Sequence, residues 1–211
     1  MNRLLSLGTD RGWREEAARE AMLPRRRFVV LDSATGTGDL AFAIYNLASR
    51  RGKKVKIIGT DFVKQMLDIA EEKSRKAGIK GIEFRMGNSL RPRSRSGSID
   101  VITTGLSLRN FDDVGRFLRE SHRILKKGGR LVVLEMALPD DPLMRAGFRI
   151  YSSILMGLAG VLVDGAYFWL LGSINRFDKK ALVRKADAAG FRHVRLRPLP
   201  LGVAFLLIAE K

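Results

Sequence analysis

Between an apolar run and an amphipathic stretch lies Asp32-Ser33-Ala34-Thr35-Gly36-Thr37-Gly38-Asp39. Its glycines let backbone pass close beneath a ligand, with the amides of the next helix pointing at it. Spelled G-x-G-x-x-A through Gly36, Gly38 and Ala41, it also fits a dinucleotide fingerprint, and taken alone it is equally a tight strand-to-helix turn. Asp61 ends the next apolar run, where one carboxylate can accept both hydroxyls of a ribose or cap the helix that follows. Gly87-Asn88-Ser89 comes after a third run and sets a polar pair against an adenine edge. Adenosine binding accounts for all three, whereas helix capping leaves the glycine loop unexplained.

The elements that must position these residues alternate along the chain. A helix from Asp10 to Leu23, stopped by Pro24, precedes a buried strand, Phe28 to Leu31, and the helix Asp39 to Arg51. Val55 to Gly59 is the second strand. Phe62, Met66, Ile69 and Ala70 have helical spacing and predict a helix from Phe62 to Ala77, with Gly78 as its C-cap. Ile82 to Met86 is a strand, Arg91 to Ser98 a charged loop and Ile99 to Thr103 a further strand. A helix from Asp112 to Leu125, a turn at Gly128-Gly129 and a strand from Arg130 to Leu134 follow. This alternation predicts right-handed βαβ crossovers and a mostly parallel sheet covered on both faces. The ending differs: Phe191 to Leu196 and Val203 to Ala209 are joined by a link short enough only for an antiparallel hairpin. A doubly wound α/β sheet finished by an antiparallel strand resembles the seven-stranded, Rossmann-like class I methyltransferases rather than an ordinary dinucleotide-binding fold. Arg123-Ile124-Leu125-Lys126-Lys127-Gly128-Gly129-Arg130-Leu131 resembles their L-K-P-G-G-x-L turn.

The 211 residues, 45% of them hydrophobic, can bury a full core as one domain. Without cysteine there is neither a disulfide nor a thiolate site, and His122 and His193 lie far apart, so zinc and iron–sulfur chemistry are not expected. The net charge of +17 favours a polyanionic neighbour, either nucleic acid or an anionic bilayer surface. Met1 to Asp10 lacks the long apolar run of a signal peptide, which points to the cytoplasm.

Three stretches carry a closer resemblance. Leu31 to Leu40, Asp100 to Asn110 (with Leu108-Arg109-Asn110 its most telling piece) and Leu134-Glu135-Met136 with Pro139 resemble the ubiquinone/menaquinone biosynthesis C-methyltransferase family. The family pattern there looks like L-D-x-A-G-G-T-G-D-L, D-x-I-T-x-S-F-G-L-R-N and V-L-E-F-x-x-P. Met1 to Gly8 and Trp13 also look like the family's start. The chain departs from it at Thr35 for a glycine, Gly105 for a serine and Asp10 for a histidine, and it lacks the usual stretch before Met1.

The resemblance implies S-adenosyl-L-methionine as cofactor, S-adenosyl-L-homocysteine as product, and methylation of a ring carbon of a reduced, prenylated quinone precursor. Carried over position by position, its cofactor contacts fall on Thr37, Asp61, Asn88 and Ser89, with Gly105 in the place of a serine. Ala34, Gly36, Gly38, Phe62 and Met66 complete the expected set. A ring carbon is a poor nucleophile until a neighbouring phenol is deprotonated, so the site needs a proton acceptor and a group to hold the phenolate. Arg109 and Asn110 are candidates for the second role, although an ion pair with Asp112 or Asp113 would also explain Arg109. Arginine does not deprotonate in proteins, so the base is sought among Asp10, Asp164 and Tyr167.

Ile150 to Leu171 is apolar enough to suggest a membrane span, but Asp164 inside it would cost roughly 2.5 to 3.5 kcal/mol and glycines interrupt it. A helical lid over 138–176, alongside a helical cap over 1–24, is the better reading and suits a prenyl tail, although plain core helices would account for the run as well. Tyr167 to Ile174 resembles the family's Y-x-Y-L-x-x-S-I. Basic residues cluster at Arg25-Arg26-Arg27, Arg91 to Arg95 and Lys179 to Arg197, which leads to an expectation of peripheral binding to the inner face of the membrane. A homo-oligomer is compatible with all of this. The other readings are a basic RNA methyltransferase or nucleic-acid-binding module, a methyltransferase of another small molecule or lipid, and a non-catalytic scaffold. Against RNA, the segment after the fourth strand lacks an N-P-P-Y motif, and no aromatic residues interleave the basic runs.

Overall fold

The computed structural model describes residues 9–159, 172–200 and 202–211, with backbone alone over 154–159. Helix α1 (Asp10–Glu20) leads into β1 (Arg27–Ser33), α2 (Asp39–Arg50), β2 (Lys54–Asp61), α3 (Lys64–Lys76) and β3 (Ile82–Met86). Then come β4 (Ile99–Gly105), a 3-10 turn (Leu108–Asn110), α4 (Val114–Ile124), β5 (Leu125–Met136) and α5 (Pro142–Ala159). Residues 172–176 are helical, and α6 (Lys179–Ala188), β6 (Arg192–Pro198) and β7 (Ala204–Glu210) complete the chain.

The seven strands form one sheet in the order β3-β2-β1-β4-β5-β7-β6. β1 to β5 pair in parallel, and β7 runs antiparallel to both β5 and β6. Successive strand residues point to opposite faces, and each face has its own core. Val30, Val132, Leu134 and Met136 pack with α1 and α2, whereas Leu31, Leu131 and Val133 pack with α4 and α6. Both faces being covered, the strands read as continuous apolar runs.

Several strands run one or two residues beyond the sequence expectation, and four larger differences have local reasons. α1 stops at Glu20, ahead of Leu23, because the residue before Pro24 is disfavoured in the α region. α3 begins at Lys64 rather than Phe62, since the Asp61 carboxylate accepts the Val63 amide at 2.9 Å and holds the chain in a turn. Its buried face is accordingly Leu67, Ala70 and Ser74, while Phe62, Met66 and Ile69 are 74%, 42% and 47% exposed. α4 starts at Val114, capped by Asp113, which accepts the Arg116 amide at 2.8 Å. The expected turn at Gly128-Gly129 lies inside β5, because pairing continues on both sides of a register shift from Ile99↔Leu125 to Val101↔Arg130. Gly128, at φ +70, supplies that kink. Gly78 does cap α3, at φ +63, and the last two strands form the expected hairpin. Among the described residues no helix is long and apolar enough to cross a membrane.

Candidate functional site

β1 carries Asp32 and Ser33 to the carboxyl edge of the sheet, next to β4, where the strand order reverses direction. Ligands of open α/β sheets sit at such a switch point. The loop beyond it takes left-handed backbone at Ala34 (φ 52), Gly36 (φ 55) and Gly38 (φ 79). Ala34 there costs on the order of 1 to 2 kcal/mol, so neighbours must enforce the shape. They do so through the Thr35 amide, which donates to the Thr60 carbonyl at 3.0 Å, and the Gly36 amide, which donates to Asp61 Oδ2 at 2.8 Å. Lys73 of α3 closes the clamp, donating to the Thr37 carbonyl at 3.1 Å and to Asp39 at 2.7 Å.

The two glycines do different work. A Cβ on Gly38 would stand 2.9 Å from Phe42 and 3.0 Å from Phe84, so its smallness serves packing. A Cβ on Gly36 would meet nothing within 4 Å, which leaves open space above that backbone for a ligand to approach. Asp61 is buried and held by two amides, one on each oxygen. Each oxygen keeps acceptor capacity, so the carboxylate can still take ribose hydroxyls. Capping and ribose binding are therefore compatible roles for this side chain.

Beneath the loop, Asp32 is fully buried and accepts hydroxyl hydrogen bonds from Thr35 at 2.5 Å and Thr103 at 2.6 Å. Burial pushes its carboxyl up to about 6, while those two hydrogen bonds pull the other way. The sequence reading passed over this role, and the available signal was a lone acid ending a buried apolar run. Asn88 is exposed and its Oδ1 accepts the Leu90 amide at 2.8 Å, and Ser89 Oγ meets Ser33 Oγ at 3.2 Å, joining β1 to the turn after β3. Gly105 ends β4, where an added Cβ would come 3.2 Å from Leu40. The exposed Phe62 and Met66 stand at the same edge beside Asp61, free to cover a flat ring.

Of the second group of expected residues the structure describes Asp10, Arg109 and Asn110. Asp10, in the first turn of α1, is buried and accepts from Arg14 at 2.5 Å in a groove with Asp39 and Phe42. Arg109 pairs with neither Asp112 nor Asp113. Its guanidinium lies against Glu135 at the end of β5, with side-chain exposures of 3% and 0%. Asn110 beside it is exposed. Asp164 and Tyr167 lie outside the described residues. Sequence reasoning missed Glu135 and Lys73, whose partners stand 26 and 34 residues away.

The strand order, the antiparallel β7 and the glycine loop after β1 define a class I methyltransferase. Solved structures agree on the fold: an S-adenosylmethionine-dependent methyltransferase from Aquifex aeolicus covers 93% of this chain and 88% of its own at TM-score 0.66 and 19% identity. One described as a putative S-adenosylmethionine-dependent methyltransferase, from Methanococcus maripaludis, covers 98% and 89% at TM-score 0.70 and 18% identity. The pattern of the ubiE/COQ5 methyltransferase family matches residues 1–211, and the chain belongs to that family. A demethylmenaquinone methyltransferase from Deinococcus radiodurans is 42% identical over 219 residues, covering 100% of this chain and 86% of that one. A demethylmenaquinone methyltransferase from Thermus thermophilus is 36% identical over 217 residues, covering 100% and 94%.

Proposed function

We propose that the protein transfers a methyl group from S-adenosyl-L-methionine to a ring carbon of a demethylmenaquinol-like, prenylated quinol. The observation that carries this reading is the end-to-end similarity to demethylmenaquinone methyltransferases, 42% identical in the first of them. The open backbone at Gly36 and the amide-held Asp61 fit the cofactor. Asp61 would take the ribose hydroxyls, Ala34 to Gly38 with Thr37 would hold the methionine part, and Phe62, Met66, Asn88 and Ser89 would hold the adenine, with Gly105 at the β4 end. Bound there, the cofactor supplies an electrophilic methyl on a sulfonium.

The chain's own residues must make the ring carbon nucleophilic and keep it so. A hydroxyl next to that carbon loses its proton, and a donor holds the resulting phenolate. Asn110, exposed on the turn after β4, offers an amide for that purpose. Asp10 is the candidate proton acceptor within the described residues, with its charge balanced by Arg14. The basic surface adds peripheral binding to an anionic bilayer as part of this reading.

The test is incubation with methyl-labelled S-adenosylmethionine, a reduced demethylnaphthoquinone with a prenyl tail, and total RNA in one vessel. Label on the quinol, lost in Asp61→Ala, supports the reading. Label on RNA alone overturns it.

A further inference from the structure

Glu135 spends its whole carboxylate on two neighbours. Oε1 accepts from Arg109 Nη1 and from the Met136 amide at 2.8 Å, and Oε2 accepts the Arg109 amide at 3.1 Å. On the far side of the guanidinium, Arg109 Nε donates to Ser173 Oγ at 3.2 Å. The Arg109 side chain is 3% exposed and that of Glu135 0%, so neither charge reaches water. An apolar pair of similar volume would stabilise such a site about as well, because desolvation offsets the attraction of buried charges. What the ion pair adds is direction. A planar fork with fixed donor angles admits one arrangement of the segments it joins.

Those segments are three. Arg109 belongs to the turn after β4 that also bears Asn110, Glu135 closes β5, and Ser173 lies in 172–176, through which the chain returns towards α6. Ile174, next to Ser173, is fully buried, so that return is packed as well as hydrogen-bonded. We propose that Glu135 and Ser173 are positioning residues which hold Arg109 as a latch, fixing the Asn110 turn and the 172–176 segment to the carboxyl edge of the sheet. Arg109 then acts from behind the site, and the group facing a substrate from this turn is Asn110. The link to catalysis rests on the quinol methyltransferase reading, whereas the latch itself does not.

Ser173→Ala removes one hydroxyl and leaves the Arg109–Glu135 pair and the Ile174 packing in place. Amide hydrogen exchange of the full chain is the primary readout. The latch predicts exchange at least tenfold faster in 105–110 and in 172–176 together, with the protection of β1 and β2 and the affinity for S-adenosylhomocysteine within twofold of the parent. Arg109→Lys, which keeps the charge and loses the fork, gives the same pattern, and Ser173→Thr restores the parent's. With the reduced quinol as substrate, Ser173→Ala raises KM about tenfold and changes kcat less than threefold. Faster exchange confined to 172–176, or a threonine variant that behaves like the alanine one, overturns the latch. No turnover by the parent protein on any quinol overturns the functional reading and leaves the exchange result to decide the latch.

Discussion

Gly36 and Gly38 stand two residues apart, yet a methyl group at each costs something different. At Gly36 it meets open space, so Gly36→Ala loses about 1 to 2 kcal/mol of stability from left-handed backbone alone. It also fills the space a ligand would use, and calorimetry with S-adenosylhomocysteine should show affinity falling more than tenfold, a loss above about 1.4 kcal/mol. At Gly38 the same change drives Cβ into Phe42 and Phe84, so roughly 2 to 5 kcal/mol of stability is lost in urea melts. Asp32 carries a pH signature. The folded chain takes up its proton below about pH 6, the unfolded chain only below its ordinary value of 3.8. Between those values the native state binds more protons, so stability falls as pH rises through the window and levels off above it. Asp32→Asn should remove this dependence, worth up to about 3 kcal/mol between pH 3 and pH 7, read as the difference between the two proteins' urea midpoints. Equal pH profiles would show that Asp32 titrates at its ordinary value. The loop and Asp61 were legible in the sequence because chain order alone puts a glycine turn and an acid at adjacent strand ends. Asp32 was not, since its partner Thr103 is on another strand and only folding brings the two together.

At the scale of elements, the alternation of strands and helices was readable because burial on both sides demands continuous apolar runs, and the closing hairpin because six residues allow no crossover. The helix after β2 was readable from the spacing of its apolar residues, whereas its start and the side it buries were not. Met66 and Ile69 of the helix, and Phe62 just before it, are exposed, while Leu67, Ala70 and Ser74 are buried. An apolar stripe at helical spacing reports that a surface is to be covered, and a ligand can cover it as well as a core can. The same helix sends Lys73 back to the glycine loop, tying Thr37 and Asp39 to α3. Both charges of the Lys73–Asp39 pair are about two-fifths exposed, so the pair adds less than about 1 kcal/mol to stability. Lys73→Met should therefore leave the melting temperature within a few degrees and weaken S-adenosylhomocysteine binding three- to tenfold. A large drop in melting temperature with unchanged affinity would make Lys73 a fold residue only.

At the scale of the whole molecule, one cluster of positive charge stands at the amino edge of the sheet. Arg26, Arg27, Lys54, Lys80 and Lys127 are exposed at or next to the amino ends of β1, β2, β3 and β5, and Arg25 and Lys126 there share Asp100. Phe62 and Met86 are exposed at the opposite, carboxyl edge, with Leu143 and Met144 at the start of α5 just after β5. The glycine loop and Asp61 open on that second edge. A seven-residue strand such as β1 spans about 20 Å, more than two Debye lengths at physiological salt. The amino-edge cluster is thus largely screened from the site mouth. Binding to anionic vesicles through the basic edge should rise with anionic lipid content, fall with salt and be lost in Arg26→Glu/Lys54→Glu. That double variant should nonetheless methylate a detergent-dispersed quinol at the parent's rate, since its changes lie a strand's length from Asp61. If turnover falls in step with sedimentation, the basic edge serves the reaction directly. The lipophilic substrate would then have to enter from the amino side of the sheet, where the buried carboxylate of Asp100 is already taken by Arg25, Lys126 and the Val29 amide.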